Sequence, residues 1–328
     1  MAHGHEATVA WGLLSTARIN DRIIEAARKS DRAKVLAVAS RDAARAKAYA
    51  GEHGIERSYG SYEALLADPE VEAVYISLPN SLHVEWTLHA LEAGKHVLCE
   101  KPLSRHPDEV EQAFDRAEAN ELALSEAFMW RHHPQAAKLV ELVAGGAIGP
   151  LRVVRAAFSF NLPGVDDVRL DPDLDGGSLM DVGCYCLSAI RLLAGEPERL
   201  QGEQVLGPSG VDVSFAAALA LPEGRLGHFD CGFVLPARHE LEVVGETASL
   251  FVADPFHVHA PGIELRRANG SERIEVEPAN SYRLELENIS DAIRGRAPLL
   301  LGRKDALGQA RAIDALYRSA STTDGSAS

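Results

Sequence analysis

Over residues 8–126, short apolar runs alternate with segments of helical period, and this alternation constrains the fold more than any other feature. The runs are TVAWGLL at 8–14, then 35–39, 73–77, 96–99 and 122–126. Each is short and almost continuously apolar, the pattern of a strand buried on both faces. Between them lie amphipathic stretches: one carrying Ile23, Ile24, Ala26 and Ala27, then 42–53, 82–93 and 107–119, with a turn and short helix from Tyr59 to Leu66. Strands that alternate with helices form a parallel sheet covered on both faces. The expectation is an α/β doubly wound sheet of the Rossmann kind over residues 1–129.

After Phe128-Met129-Trp130-Arg131 the pattern changes. A helix at 134–144 ends in Gly145-Gly146, and β-rich segments follow at 151–160, 199–205, 211–221, 225–235, 239–245 and 248–253, with turns such as Pro222-Glu223-Gly224 between them. This spacing predicts an α+β second domain, 130–328, built on an open-faced antiparallel sheet and interrupted by a helix at 177–194. Two helices close the chain, 282–294 and 303–319, the second expected to pack back on the first domain. The tail Ser319–Ser328 is small and polar and is expected to be disordered. An open sheet leaves a face to be covered, so a homodimer or homotetramer through that sheet is expected.

The chain's 328 residues suit two domains. A net charge of -15 argues against nucleic acid or an anionic membrane as the main partner. No apolar run approaches the ~20 residues of a membrane span, and MAHGHEATVAWG lacks the basic flank and apolar segment of a signal peptide; a cytoplasmic location is expected. Cys99, Cys184, Cys186 and Cys231 sit mostly in apolar runs and read as buried thiols. Cys184 and Cys186 are too close for a zinc knuckle, and His3 and His5, which could in principle grip a metal, are expected to belong to a fraying terminus. No metal is expected.

Ligands of an open parallel sheet gather at the carboxyl ends of its strands. After the first strand, Gly12, Leu14 and Ala17 occupy the three positions of a nucleotide-binding glycine fingerprint. The first keeps a turn glycine and the third tolerates alanine, but the second has none; Ser15 and Thr16 offer donors to phosphate instead, at a helix N-terminus. The second strand ends in Ser40-Arg41-Asp42, where an acidic residue for the ribose is usual. A hydroxyl and a guanidinium there favour NADP(H), with NAD left open. At the third strand end, Leu78-Pro79-Asn80 can press on a flat ring, and Asn80 and His83 can reach ribose or phosphate. The fourth ends in Cys99-Glu100-Lys101-Pro102, which puts an amine where a cofactor and its substrate meet. In the second domain Asp181 and Tyr185 share a helix face by their i, i+4 spacing. A phenol titrates near ~10 in water; a nearby ammonium lowers that value, so Lys101 beside Tyr185 makes an acid–base pair for hydroxyl–carbonyl interconversion. Taken alone, each motif also has a bland reading: a solvated Glu-Lys pair, a helix-start arginine, a half-buried tyrosine.

In combination and in order, WGLLSTARI, LPNSLH, HVLCEKP, EAFMWRHHPQ and GGSLMDVGCYC resemble the Gfo/Idh/MocA oxidoreductases. The nearest branch is the one holding glucose-fructose oxidoreductase, NADP-dependent xylose dehydrogenase and dimeric dihydrodiol dehydrogenase. The likeness extends to SYRLELENISDAIRG and DALGQARAIDALYRSA. It implies that Lys101 is the catalytic lysine, often before a cis peptide to Pro102, that Tyr185 is the proton donor or acceptor, and that Asp181 holds a substrate hydroxyl. It implies that Ser15, Thr16, Ala17, Arg18, Ile19, Ser40, Arg41, Leu78, Asn80, His83, Glu100 and Arg131 line the cofactor. Asn161 and Tyr282, from loops of the second domain, are weaker candidates. Ser15 departs from the glycine of many relatives, and His132-His133 stands where an aromatic often precedes histidine. The activity implied is NAD(P)-dependent hydride transfer at a sugar or polyol carbon, as in an aldose 1-dehydrogenase or a sugar-ketone reductase. A dinucleotide-binding regulator without turnover is disfavoured by the presence of both Lys101 and Tyr185. An NAD-dependent glycoside hydrolase would show no net redox change.

Overall fold

The structure is a computed structural model that describes residues 8–164 and 167–321; His3, His5 and the tail beyond residue 321 lie outside the described residues. In chain order the first elements are β1 (Val9–Leu14), α1 (Asn20–Arg28), β2 (Ala33–Ala39), α2 (Ala43–His53), β3 (Arg57–Tyr59), α3 (Tyr62–Leu66), β4 (Ala73–Ile76), α4 (His83–Glu92), β5 (His96–Glu100), α5 (Pro107–Ala119) and β6 (Leu124–Ala127). The six strands pair in the order β3-β2-β1-β4-β5-β6 and every pair is parallel. The order reverses between β1 and β4, so the crevice where such sheets take ligands opens there. Trp11, Leu13, Tyr75 and Leu98 are fully buried in this sheet, as the continuous apolar runs required. β3, which the sequence placed in a turn, is a three-residue edge strand too short to carry a period of its own.

The chain continues through α6 (Pro134–Ala144), β7 (Leu151–Asn161), a π-helical turn (Leu179–Gly183), α7 (Cys184–Ala194), β8 (Arg199–Leu206), β9 (Asp212–Leu221), β10 (Arg225–Gly232), β11 (Val234–Gly245), β12 (Ser249–Val252), β13 (Ile263–Arg267), β14 (Gly270–Ile274), α8 (Ser281–Ile293) and α9 (Arg303–Ser321). Eight strands pair in the order β14-β13-β12-β11-β7-β10-β9-β8. The sheet is mixed rather than purely antiparallel. The connection through α7, β8 and β9 returns the chain beside β7, and β10 runs parallel to it. The side chains alternate as a one-sided sheet demands. The row Arg155, His228, Ala218, Gln201 is exposed, while the neighbouring row Val154, Gly227, Leu219 is buried, with Leu200 half-buried at its end. β13 and β14 were missed because they are a short hairpin rich in charge.

By contacts the described chain divides into two compact units, 8–129 with 280–307, and 130–279 with 308–321. The helix expected to return to the first unit was 303–319. It is α8 that does so: Leu286 and Ile289 enter the core around Trp11, and Trp11 Nε1 donates to Ser290 Oγ at 3.3 Å. Only the first turn of α9 groups with the first unit. From Gly308 onward it belongs to the second, where Gln309 donates to the Cys184 carbonyl at 2.8 Å. Helix α9 also runs past Ser319, whose hydroxyl accepts the Gly202 N–H at 2.8 Å, so the tail expected from 319 is ordered through its first residues. The stretch Pro172–Ala194 is long and apolar enough to cross a membrane by composition, against the sequence expectation, but it is mostly buried among the strands of its own unit. All four cysteines are buried free thiols.

Candidate active site

In the first unit the strand ends build one face. The residue after β1, Ser15, has φ +124°, a conformation that favours glycine. It is held there by its own hydroxyl. Ser15 Oγ lies 2.8 Å from Ser77 Oγ and 3.1 Å from the Ser77 carbonyl, and it accepts the Ala17 N–H at 3.0 Å. Ser77 donates to Asn20 Oδ1 at 2.6 Å, and Asn20 Nδ2 donates back to the Ser15 carbonyl at 2.9 Å. The Ser15 side chain therefore braces the turn instead of reaching outward to phosphate. Thr16, Ala17, Arg18 and Ile19 form its open part, ahead of α1. Gly12 is corrected: it lies inside β1, not in the turn. A Cβ there would come within 2.6 Å of Leu65, so the glycine serves packing between β1 and α3. Asn20 and Ser77, which shape the turn, were missed; both are buried polar residues that sit just outside the WGLLSTARI and LPNSLH motifs.

At the end of β2, Ser40 is buried and Arg41 exposed. The Asp42 carboxylate accepts the Ala44 and Arg45 N–H groups at 2.8 and 3.1 Å and so caps α2. The Asp42 carboxylate is thereby engaged by the helix, while burial raises the Tyr62 phenol above its usual range and the charges of Arg41 and Arg45 oppose that rise. At the end of β4, Leu78 is buried and Asn80 half-buried. His83 is corrected. It is 1% exposed, and its ring nitrogens sit 2.8 Å from the carbonyls of Pro102 and Leu78, so it ties two loops together and has no nitrogen to offer a ribose.

β5 ends in Glu100 and Lys101, with a cis peptide to Pro102. Glu100 accepts the Tyr75 hydroxyl and the Lys101 N–H. Tyr282 is corrected from a loop of the second domain to the first turn of α8, which packs on the first unit. Burial, with Glu100 and Glu285 nearby, holds the phenols of Tyr282 and Tyr75 well above their usual range. Glu285 is 1% exposed and neither carboxyl oxygen has a hydrogen-bond partner; burial and the charge of Glu100 raise its pKa far above that of an ordinary carboxyl.

The second unit holds the other candidates. Glycines 176 and 177 let the chain fold back before the π-helical turn. A Cβ on Gly176 would meet the Arg169 carbonyl at 2.5 Å, and one on Gly177, at φ +129°, would meet Asp212 Oδ1 at 2.3 Å. Asp212, 2% exposed, accepts the Ser178 hydroxyl at 2.7 Å, the Leu179 N–H at 2.8 Å and the Tyr317 hydroxyl at 2.9 Å. It is the remote cap of this helix. The π turn carries Asp181, whose Oδ2 accepts Arg169 Nε at 2.8 Å. Asp181, with burial opposing it, strengthens the hold of Arg169 on its proton. Arg169 was missed because it lies in an irregular loop, twelve positions before its partner, and only the paired glycines hinted that the loop folds back. Tyr185 is 8% exposed and its ring packs against Phe158 and Phe256 at 5.4 and 5.5 Å. Gly183 makes room for Cys231, which a Cβ would approach to 2.7 Å, rather than for a ligand. Asn161 is the exposed last residue of β7. Arg131 lies in this unit, 3.4 Å from Ser188 Oγ and stacked near Trp130. His132 is pushed down to about 4 by burial and by Arg131, while His133 caps α6 through the Gln135 N–H.

Residues 10–128 match the oxidoreductase family with an NAD-binding Rossmann fold, GFO_IDH_MocA, and residues 136–251 match the GFO/IDH/MocA C-terminal domain. The chain belongs to the Gfo/Idh/MocA oxidoreductases. Among relatives of this oxidoreductase, D-xylose 1-dehydrogenase (NADP(+)) 2 of Haloferax volcanii is 40% identical over 317 residues, 95% of this chain and 97% of that one. Trans-1,2-dihydrobenzene-1,2-diol dehydrogenase of Bos taurus is 36% identical over 249 residues, 75% of this chain and 74% of that one. A 3-ketoreductase from Actinomadura kijaniata, solved with NADP and TDP-benzene, superposes with a TM-score of 0.90 at 30% identity, covering 95% of this chain and 98% of that chain.

Proposed function

We propose that this oxidoreductase moves a hydride between NADP(H) and a carbinol or carbonyl carbon of a sugar or polyol, as an aldose 1-dehydrogenase or a sugar-ketone reductase. The observation that carries the reading is 40% identity across nearly the full length of an NADP-linked xylose dehydrogenase. The residues of the first unit fit such a dinucleotide. An open turn before α1 suits a pyrophosphate. Arg41 stands just after β2 and Arg45 in the first turn of α2, and Asp42 between them spends a carboxylate oxygen on the helix cap. A guanidinium matches a 2′-phosphate in charge and geometry, whereas a free carboxylate would repel it. The bound nicotinamide supplies the hydride chemistry. The chain's own residues do the rest: Tyr185 exchanges the hydroxyl proton, Lys101 orients the reacting group, and Asp181, pinned by Arg169, accepts a substrate hydroxyl.

The test is initial-rate assay with a panel of aldoses, deoxy-keto sugars and dihydrodiols, each with NADP+/NADPH and NAD+/NADH. Turnover is expected on at least one aldose or sugar ketone with the phosphorylated cofactor preferred. Arg41→Ala is expected to raise the KM for NADP+ by about 10-fold or more, the worth of a charge-assisted hydrogen bond, and to leave that for NAD+ unchanged. An equal change for both cofactors would remove the NADP assignment. Cofactor binding with no turnover on any substrate would remove the enzymatic one.

A further inference from the structure

Apart from the residues named so far, the second unit brings together three groups of metal-ligand chemistry from two segments that are separate in sequence. One ligand atom each from His239 on β11 and from Asp254 and His257 in the loop between β12 and β13 lie within 4.8 Å of one another. A fourth, His259, is 3.1 Å from Asp254 Oδ2 through Nδ1. We propose that His239, Asp254 and His257 form a site for a borderline divalent cation of the zinc type, with His259 or a water completing it.

Three observations support a built site over a chance encounter of surface groups. First, the carboxylate is oriented from behind: Asp254 Oδ1 accepts the His257 N–H at 3.1 Å and Oδ2 the His259 N–H at 2.9 Å. Such second-sphere bonds fix ligating carboxylates. Second, the backbone adopts a costly turn to do this. Val258, β-branched, has φ +53° between the two histidines, a conformation that β-branched residues avoid. Third, the imidazoles are walled by one aromatic surface. The Phe158 ring lies 4.6 Å from His239 and 5.4 Å from His257, edge-on to both, and stacks on Phe256 at 5.3 Å.

The chemistry of the donors agrees. Two imidazoles and a carboxylate suit zinc and its transition-metal neighbours better than magnesium or calcium. Bonds of ~2.0–2.2 Å in a tetrahedron put ligand atoms about 3.4 Å apart. The cluster must therefore contract, a movement the exposed ring of His257 can supply by rotation. The bound ion would clasp β11 to the 253–262 loop, and that loop carries Phe256, whose ring packs on Tyr185. The role is to hold the wall behind the tyrosine, not to touch substrate.

The experiment uses the full chain in a His3→Ala, His5→Ala background, so that the terminal histidines supply no signal. Co2+ is titrated with its visible absorption as the readout, followed by displacement with Zn2+. One equivalent of Co2+ with a tetrahedral or five-coordinate spectrum is expected. His239→Gln and His257→Gln should each weaken it by about 10-fold or more, and Zn2+ should raise the melting temperature of the parent but not of either variant. Folding of the variants is checked by retained NADP+ binding. Absence of Co2+ uptake in the parent, uptake unchanged by both substitutions, or a six-coordinate spectrum of loosely held ion would each overturn the site. None of these results bears on the proposed oxidoreductase activity.

Discussion

Single side chains decide two predictions. Tyr185 is buried against Phe158 and Phe256, so Tyr185→Phe removes one oxygen and keeps the packing. Its kcat is expected to fall by about 10²–10⁴-fold, the usual contribution of a general acid–base group, while NADP+ affinity by fluorescence titration stays near that of the parent. Full turnover in this variant would dismiss the phenol as the proton carrier. Glu285 yields a prediction of the opposite kind, about stability. Its pKa is raised by burial and by Glu100, so the folded state keeps a proton that the unfolded chain gives up. Stability is whole below the ordinary carboxyl range and falls as pH rises through the folded value, by about 1.4 kcal/mol per pH unit across that window. Glu285→Gln removes the titration. Melting curves of the two proteins should converge at acid pH and separate toward neutrality, with the variant the more stable; parallel curves would show that Glu285 titrates normally.

At the scale of an element, the helix that begins with the π-helical turn rests on Asp212, which caps it from another strand. Asp212→Ala leaves the Ser178 hydroxyl and the Leu179 N–H without their acceptor in a buried place, at a cost of about 3 kcal/mol. Urea denaturation should show a lower midpoint with an unchanged slope. The same element shows where sequence reasoning reached and where it stopped. The strands of the parallel sheet were legible because both of their faces are buried and their apolar runs are continuous. The motif at 176–185 was legible as a site because glycines, a carboxylate and a phenol stand together. Its supports were not: Asp212 and Arg169 meet it only through the fold, and no local period marks them. The paired glycines were seen, but their reason, room for the Arg169 carbonyl and for Asp212, lies in three dimensions. Gly12 and His83 misled for a related cause. Each residue type suits a cofactor loop, and in each case the neighbouring backbone or packing had already claimed it.

For the molecule as a whole, the eight-stranded sheet presents the exposed row Arg155, His228, Ala218 and Gln201, with Leu226 beside it 56% exposed. Ala218 and Leu226 are its small and apolar members, and such groups on an open sheet face favour burial against another surface. A dimer or tetramer is expected in sedimentation velocity, and Leu226→Glu together with Ala218→Arg should shift it to monomer; a monomeric parent would refute the pairing. Another property of the whole chain follows from α8. Leu286, Ile289 and Ser290 complete the core around Trp11, so the nucleotide-binding unit is not a contiguous gene segment. A ribosome delivering this polypeptide releases β1 to β6 long before the helix that closes their core is made. The parallel sheet must wait for the segment around residue 290 to be translated before its core is complete, and a transcript cut short after the first unit's own strands would yield a product lacking Leu286 and Ile289 from that core.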